Sequence, residues 1–404
     1  MKIVMLCELF NEELEFQENL LVKYYRSNGH DVTVIASLYD SVFDYYSDKP
    51  TVGGRREYLY DGARIIKLPF RFNLLNRVRP LVSVSQILDE AAPDLLYVHD
   101  ISPNFPECIA YVKKHPGTRM IMDYHADYSN SGKNWVSIKI LHGVIRKWYL
   151  DRARPYLSKI FPIVPAGTQF LREVYGVPEG EMELLPLGTD LEYGRGIREA
   201  RGGAKVRAEL GIPEDAFVVF TGGKLSRNRR TEHLIDAVAA IGRDHLHVIV
   251  VGKAEGDYIP YAEMLQKRAA GNPRIHFVGW LGKQAMYEHM DAANVAIFPG
   301  GQSVLWQQSI GMGLPLVIAD KTEQIRGHQD ARYLNVHDNV IILDPERNSA
   351  EQIEGILRSF LDDPAQVARM ADGAHRTADE LLDWNKLVAR TLRFNRTEGA
   401  NEPA

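Results

Sequence analysis

Cysteine is nearly absent: Cys7 and Cys108 are the only two in 404 residues. They cannot build a disulfide framework or a cysteine-rich metal site, and a reducing compartment fits that usage. Long apolar runs are missing as well, with nothing near the roughly 20 residues that a membrane-spanning helix needs. The N-terminus, MKIVMLCELFNEELEF, turns acidic before a signal-peptide core could form. A cytoplasmic protein is expected, with any membrane contact peripheral. There is no excess of positive charge, since the formal net charge is -5, and this argues against a general nucleic-acid binder. Neither GxGxxG nor GxxxxGK[ST] occurs, so the dinucleotide and P-loop fingerprints do not apply.

What is present is ordinary globular composition, 45% hydrophobic and 25% charged, over a length suited to two domains. Short apolar runs alternate with amphipathic ones. KIVML (2–6), DVTVIAS (31–37), ARIIKL (63–68), DLLYVHD (94–100), TRMIMDYH (118–125), SKIFPIV (158–164) and EMELLPLG (181–188) read as strands. Residues 15–28 follow a helical period that stops at Gly29. After residue 190 the pattern restarts with runs at 215–223, 246–252, 273–279, 294–300, 314–320 and 340–344. Such alternation predicts two α/β domains with parallel sheets covered on both faces. The boundaries read as 1–190 for the first domain, 191–207 for a Gly- and charge-rich linker, 208–364 for the second, and 365–404 for C-terminal helices that could pack back on the first. Ligands of open parallel sheets bind at the carboxyl ends of the strands, in a cleft between two such domains.

The stretch TGGKLSRNRR (221–230) lies at such an end. Gly222 and Gly223 let a ligand approach the backbone. Lys224 and Arg229 could clamp two phosphoryl groups, and the helix that follows offers its N-terminus. A diphosphate suits this arrangement; a solvated basic turn is the alternative.

The second half resembles a glycosyltransferase of the GT-B fold, family 4 in particular. In GKLSRNRR (223–230), Lys224 and Arg229 stand where that family's G-R-L-x-x-x-K-G run has the Arg and Lys that bind the donor diphosphate. LLPLGTD (184–190) resembles its P-x-G-x-D run. VVGKAEG (250–256) and FVGWL (277–281) resemble the strand ends that line the nucleobase, which implies donor contacts for Gly252, Lys253, Gly279, Trp280 and Leu281. LEFQENLLVKYYRSNGHDVTVI (14–35) resembles the first helix and its R-G-H-x-V-T-V ending. The implied fold is two Rossmann-like, doubly wound domains facing across a cleft. The implied activity is sugar transfer from a nucleotide-diphosphate sugar, usually with retention and without a metal or other cofactor.

Two segments depart from the family pattern. The E-x7-E glutamate pair is missing: PGGQSVLWQQSIGMGLP (299–315) contains no carboxylate. Counting back from Gly313 and Pro315 puts Gln308 at the second glutamate and Gly300 at the first; counting forward from Pro299 gives Ser303. Gln308 can bond ribose hydroxyls, and Gln302 and Ser303 can meet the sugar. A surface helix turn is the other reading of Gln307–Gln308. In the first half, Glu12-Glu13 stand where many relatives have Gly-Gly, Glu15 keeps an acidic position, and Gln17 begins the helix.

By the same resemblance, His125 occupies the place of a histidine facing the donor sugar, either bonding a hydroxyl or acting as base. His99 and Asp100 end the preceding strand, and Asp127 follows His125. Together with Glu15 and Gln17 these are the acceptor-side candidates. A His–Asp–His constellation could bind metal, but none is expected. Finally, 131–159 carries seven Lys or Arg against one Asp, and Trp135, Ile138, Leu141, Ile145, Trp148 and Tyr149 form a rough apolar stripe. With FRFNLLNRVRP (70–80) it is a candidate surface for lipid or a lipid-linked acceptor; a core-facing helix with a solvated basic back is the other reading. The expected function is a transferase for a surface glycan. A nucleotide-sugar epimerase and a non-catalytic nucleotide- or glycan-binding subunit remain as alternatives.

Overall fold

A computed structural model of the chain describes residues 1–12, 17–39, 55–132, 134–301, 303–319, 331–344, 347 and 349–393. Glu13, Glu15, Gln302 and Phe394 lie outside them. The chain divides into two units, one running to Pro186 and resuming at Trp384, the other Leu187–Asp383.

The first unit is built on a seven-stranded sheet in the order β3-β4-β2-β1-β5-β6-β7. Its strands are β1 (Lys2–Leu6), β2 (Asp31–Ser37), β3 (Arg56–Tyr60), β4 (Ala63–Leu68), β5 (Leu95–His99), β6 (Arg119–Tyr124) and β7 (Leu157–Pro162). All neighbours are parallel except β3 with β4. Runs such as KIVML have no polar face to give to water, so they occupy the middle of a sheet covered on both sides. Strand β3 is absent from the sequence reading. It alternates half-buried and exposed residues at the sheet edge and turns back through Asp61 and Gly62, both at positive φ. That Asp-Gly pair is the hairpin signal.

Residues 181–188 form no named strand; they run beside β7 through a bridge from Ile160 to Met182 and through the Glu183 and Leu185 N–H groups, which donate to Ile160 O at 3.0 Å and Pro162 O at 2.9 Å. After the chain returns, the helix Trp384–Thr391 packs its fully buried Trp384, with Leu387 and Val388, into the core behind β1 and β2. Thr391 Oγ1 lies 2.5 Å from Tyr25 Oη, and Arg390 donates to Glu183 at 2.7 Å.

The second unit has a six-stranded, all-parallel sheet in the order β10-β9-β8-β11-β12-β13. These strands are β8 (Phe217–Gly222), β9 (Leu246–Val251), β10 (Ile275–Gly279), β11 (Val295–Phe298), β12 (Leu316–Ala319) and β13 (Val340–Leu343). An apolar cluster covers each face.

Residues 191–207, read from composition as a linker, lie in two helices, Leu191–Glu199 and Gly202–Glu209. Gly194, Gly202 and Gly203 serve close packing, not freedom. A Cβ on Gly203 would lie 2.4 Å from the Asp291 backbone, and one on Gly194 would lie 2.8 Å from Met312 Sδ. Asp190 caps the first of these helices through the Tyr193 N–H and is itself held by Lys283 at 3.0 Å.

The helical stretch inside 131–159 is also phased differently from the reading above. Ser137–Arg146 is a π-helix that continues as the α-helix Lys147–Ala153. Ile138, Leu141, Ile145 and Tyr149 are half-buried, and the exposed apolar positions are Trp135, Val136, Ile140, Val144 and Trp148. The wider winding of a π-helix moves the stripe out of α-helical phase. Among the described residues, no helix is long and apolar enough to cross a membrane.

Candidate active site

In a doubly wound sheet the crevice opens where the strand order reverses. In the second unit that point lies between β8 and β11, and the loops after β8, β9 and β10 are joined backbone to backbone. The Gly223 N–H donates to Val251 O at 3.0 Å, Leu225 N–H to Lys253 O at 3.0 Å, and Gly252 N–H to Gly279 O at 2.7 Å. Gly252, at φ +134°, lies so close that a Cβ there would come 1.9 Å from Gly223 O. Gly300 is pressed against Asn228 O in the same way, at 2.2 Å. No side chain fits at either place, so the glycines permit the convergence of loops.

Onto this frame the structure brings Gly222, Gly223, Lys224, Arg229, Gly252 and Ser303. Arg229 is half-buried and donates from Nη1 to Gly301 O at 2.8 Å. Burial lowers its pKa, yet a guanidinium remains charged at neutral pH. Lys224 is exposed, with Nζ 4.6 Å from the Tyr258 ring centroid. Ser303 Oγ would lie 3.7 Å from a Cβ on Gly223 and also accepts from Leu305 N–H at 3.3 Å. Lys253 pairs with Glu255 at 2.7 Å and lies 5.7 Å from the exposed Trp280 ring. Gly279, at φ +75°, turns the chain between β10 and Trp280, and half-buried Leu281 packs on the core.

Beyond the loop starts the helix Thr231–Ile241. Its Thr231 N–H already donates to Tyr261 Oη at 3.0 Å, so the helix end offers fewer free donors than the sequence suggests. Gln308 is half-buried on the helix Leu305–Gly311, and Gln307 is buried and donates to Tyr333 Oη at 3.2 Å. The pair is not a solvated surface turn.

The first unit gathers its own cluster at the ends of β5 and β6, beside the reversal between β1 and β5. Its centre is Asp123, which the sequence reading did not single out. The Asp123 side chain has no exposure, and Oδ2 accepts from Tyr97 Oη at 2.9 Å, His99 Nδ1 at 3.1 Å and His125 Nε2 at 3.1 Å. Oδ1 accepts from Asp100 N–H at 3.1 Å. On its other edge, His99 Nε2 lies 3.2 Å from Glu18 Oε1. Gln17, beside it, donates to Tyr97 Oη at 3.3 Å.

Both His99 nitrogens face carboxylates, so both carry protons. Burial on its own would lower the His99 pKa; Asp123 and Glu18 outweigh it and push the value up to about 10. Burial would raise Asp123, but the two histidines hold it well below the carboxylate range. The His125 ring lies 4.3 Å from that of His99 and is partly open to solvent. Asp100, at φ +58°, pairs with Arg146 at 3.6 Å. Asp127 is buried and holds its own turn, accepting from Ser129 N–H at 2.7 Å and Asn130 N–H at 3.0 Å.

The signal for this cluster was a carboxylate inside an apolar strand, two residues before a histidine. One ligand atom from each of His99, Asp123 and His125 lies within 4.8 Å of the others, which is also a metal-binding arrangement. The proton on His99 competes with any such ion.

Comparisons with known proteins agree with this architecture. Residues 19–193 match the model described as Glycosyltransferase Family 4, and residues 204–377 match Glycosyl transferases group 1. A D-inositol 3-phosphate glycosyltransferase of Streptomyces avermitilis is 28% identical over 241 residues, 54% of this chain and 47% of the relative. The chain spans about half the length of the curated relatives it matches.

Among solved structures, the sucrose-phosphate synthase of Thermosynechococcus elongatus superposes with a TM-score of 0.66 at 14% identity, covering 97% of this chain and 98% of that one. Anabaena Alr3699/HepE in complex with UDP-glucose gives 0.66 at 18% identity, with 96% and 99% covered. At such identity these two likenesses concern the fold alone. The two matched segments, one in each unit, together with that shared fold, place the chain among the family 4, group 1 glycosyltransferases, with the GT-B fold of two Rossmann-like domains.

Proposed function

We propose that the chain moves a sugar from a nucleotide-diphosphate sugar to a glycan or lipid-linked acceptor in surface-polysaccharide assembly, with retention and without a metal ion. The observation that carries this reading is the latched Arg229, in the same loop as the exposed Lys224, over a floor of bare backbone at the reversal point of the second sheet. Breaking the bond from anomeric carbon to diphosphate needs stabilisation of negative charge on the leaving group. Two preorganised cations that need not reorganise supply it. Glycines at 222, 223 and 252 leave no side chain between the converged loops and an approaching diphosphate. Trp280, Gly279 and Leu281 suit the nucleobase, and Ser303 and Gln308 suit sugar and ribose hydroxyls. His125 acts on a sugar hydroxyl, held by Asp123.

The Anabaena protein was solved with UDP-glucose, so uridine diphosphate sugars are the first donors to test. A thermal-shift screen of nucleotides and nucleotide sugars comes first; a ligand at 100 times its Kd stabilises by roughly 2.7 kcal/mol. Product analysis with that donor then separates transfer from epimerisation, which would release free sugar without an acceptor. The absence of carboxylates from 299–315 favours a second reading, a non-catalytic nucleotide-binding subunit. Tight nucleotide binding without turnover would support it, and donor hydrolysis that disappears in Lys224→Ala would exclude it.

A further inference from the structure

The helical segment 135–153 sends His142 and Arg146 inward and leaves a row of apolar side chains exposed, where a solvated helix would present polar ones. His142 is buried between Ser131 Oγ at 2.9 Å and Tyr175 Oη at 2.6 Å. Arg146 reaches in to Asp100, and Leu150 and Ala153 are buried. These anchors fix the rotation of the segment, so the opposite face cannot swing into the core. That face carries Trp135, Val136, Ile140, Val144 and Trp148, at nearly constant four-residue spacing along one ridge. The neighbouring loop adds Phe72, Leu74 and Leu75. All eight side chains are between 45% and 86% exposed. A grouping of this kind marks an interaction surface, whereas single exposed apolar residues do not.

Loop and ridge belong to one surface. Leu81 N–H, at the base of the loop, donates to Asn104 Oδ1 at 2.8 Å, just before the helix Phe105–Lys114. Arg71 pairs with Glu107 on that helix at 2.8 Å. Arg77 stands near enough to His142 to help burial and Arg146 hold its pKa down, at about 4.

The charge of the patch opposes that of the chain. Arg71, Arg77, Lys113, Lys139 and Arg152 are exposed around the apolar ridge. The acids among them, Glu107 and Asp151, are already paired with Arg71 and Lys147. Arg152 lies 4.1 Å over the Trp148 ring, and Lys113 lies 5.3 Å over Tyr156. Both cations line a cavity of about 310 Å³ together with Phe105, Ile109, Trp148 and Tyr156.

We propose that this face docks on a bilayer containing anionic lipid: the ridge enters the interfacial layer, and Arg152 and Lys113 hold a phosphate headgroup at the aromatic cavity. Exposed tryptophans flanked by cations suit the boundary between headgroups and acyl chains. A second copy of the chain would bring like charges face to face, which disfavours a self-complementary dimer here. The inference is independent of the sugar-transfer reading.

The test is vesicle sedimentation with the full chain, using phosphatidylcholine with and without phosphatidylglycerol. Binding is expected only with the anionic lipid, weakening as salt rises. Neutralising cations in Lys139→Gln and Arg152→Gln should cost about fivefold each. Ile140→Glu with Val144→Glu should abolish binding while leaving the circular dichroism and nucleotide thermal shift unchanged. Anionic vesicles should also blue-shift the tryptophan emission of the wild type but not of a Trp135→Phe, Trp148→Phe variant. No binding to either vesicle, or equal binding by the Ile140/Val144 variant, would overturn the proposal. So would a dimer in solution that the same substitutions dissolve.

Discussion

Arg229 Nη1 donates to Gly301 O at 2.8 Å, and this bond ties the loop after β8 to the loop after β11 across the reversal point of the second sheet. The guanidinium is thus held to the protein by Nη1, and its planar fork matches the geometry of a phosphoryl anion. Lysine has the charge but not the fork. Arg229→Lys should therefore recover little of what Arg229→Ala loses. For Arg229→Ala and Lys224→Ala, kcat/KM for the donor is expected to fall about 10²–10³-fold, by analogy with a lost oxyanion donor. Steady-state donor turnover measures it. A loss below about threefold in both variants would place the diphosphate elsewhere.

Gly252 should tolerate nothing larger. Its φ of +134° and the 1.9 Å approach of a built Cβ to Gly223 O act together, and backbone cannot yield as a flexible side chain can. Gly252→Ala is expected to cost about 2–4 kcal/mol and to remove nucleotide binding. Gly355 gives the contrast: it lies in the helix Ser349–Asp362 with nothing within 4 Å of a built Cβ. Gly355→Ala should stabilise by about 0.4–1 kcal/mol. Denaturant unfolding of the two variants reads both signs.

His99 makes stability depend on pH in a defined window. Its folded pKa is pushed up to about 10 from an ordinary 6.5. The native state therefore holds a proton that the unfolded chain releases as pH rises through about 6.5. The stabilisation is full below that pH and is lost on approach to 10. Subtracting the unfolding free energy of His99→Gln from that of the wild type should give a difference that shrinks with rising pH in this window. The slope is at most about 1.4 kcal/mol per unit. A difference that stays flat from pH 6.5 to 10 would mean that His99 is not held as an imidazolium.

How much of this the sequence revealed depends on which physical signal each residue carries. β1, β2 and β4 read cleanly because strands buried on both faces are mostly apolar, although β4 also carries Arg64 and the buried Lys67. β3 did not, because an edge strand with Leu59 exposed has no core pattern, and its Asp61-Gly62 turn was the better clue. Glycine misled at 191–207: Gly194 and Gly203 are small so that helices can approach, not so that the chain can bend. The loop carrying Lys224 and Arg229 was legible as a strand end because paired glycines follow an apolar run there. Asp123 and Glu18 were not, because a carboxylate matters here through partners distant in sequence. The ridge 136/140/144/148 escaped because α-helical phase was assumed for a π-helix.

The His99, Asp123 and His125 cluster admits either a proton or a metal ion, and the two make opposite predictions. An ion at the shared point must take His99 Nδ1, which now donates to Asp123 while Nε2 faces Glu18. With the pKa near 10, displacing that proton at pH 7 weakens metal affinity by about 10³-fold. Zinc binding should therefore tighten about tenfold per pH unit between 7 and 9, measured by calorimetry. Chelator treatment at pH 7 should change neither Tm nor donor turnover. Asp123→Asn should release His125 and lower turnover without a comparable change in nucleotide affinity, because the carboxylate acts by orienting the His125 ring and is not among the proposed nucleotide contacts. Stoichiometric zinc in the purified protein, with a Tm that drops on chelation, would replace the proton by the metal and assign Glu18 the part of a carboxylate bonded to a metal-bound histidine.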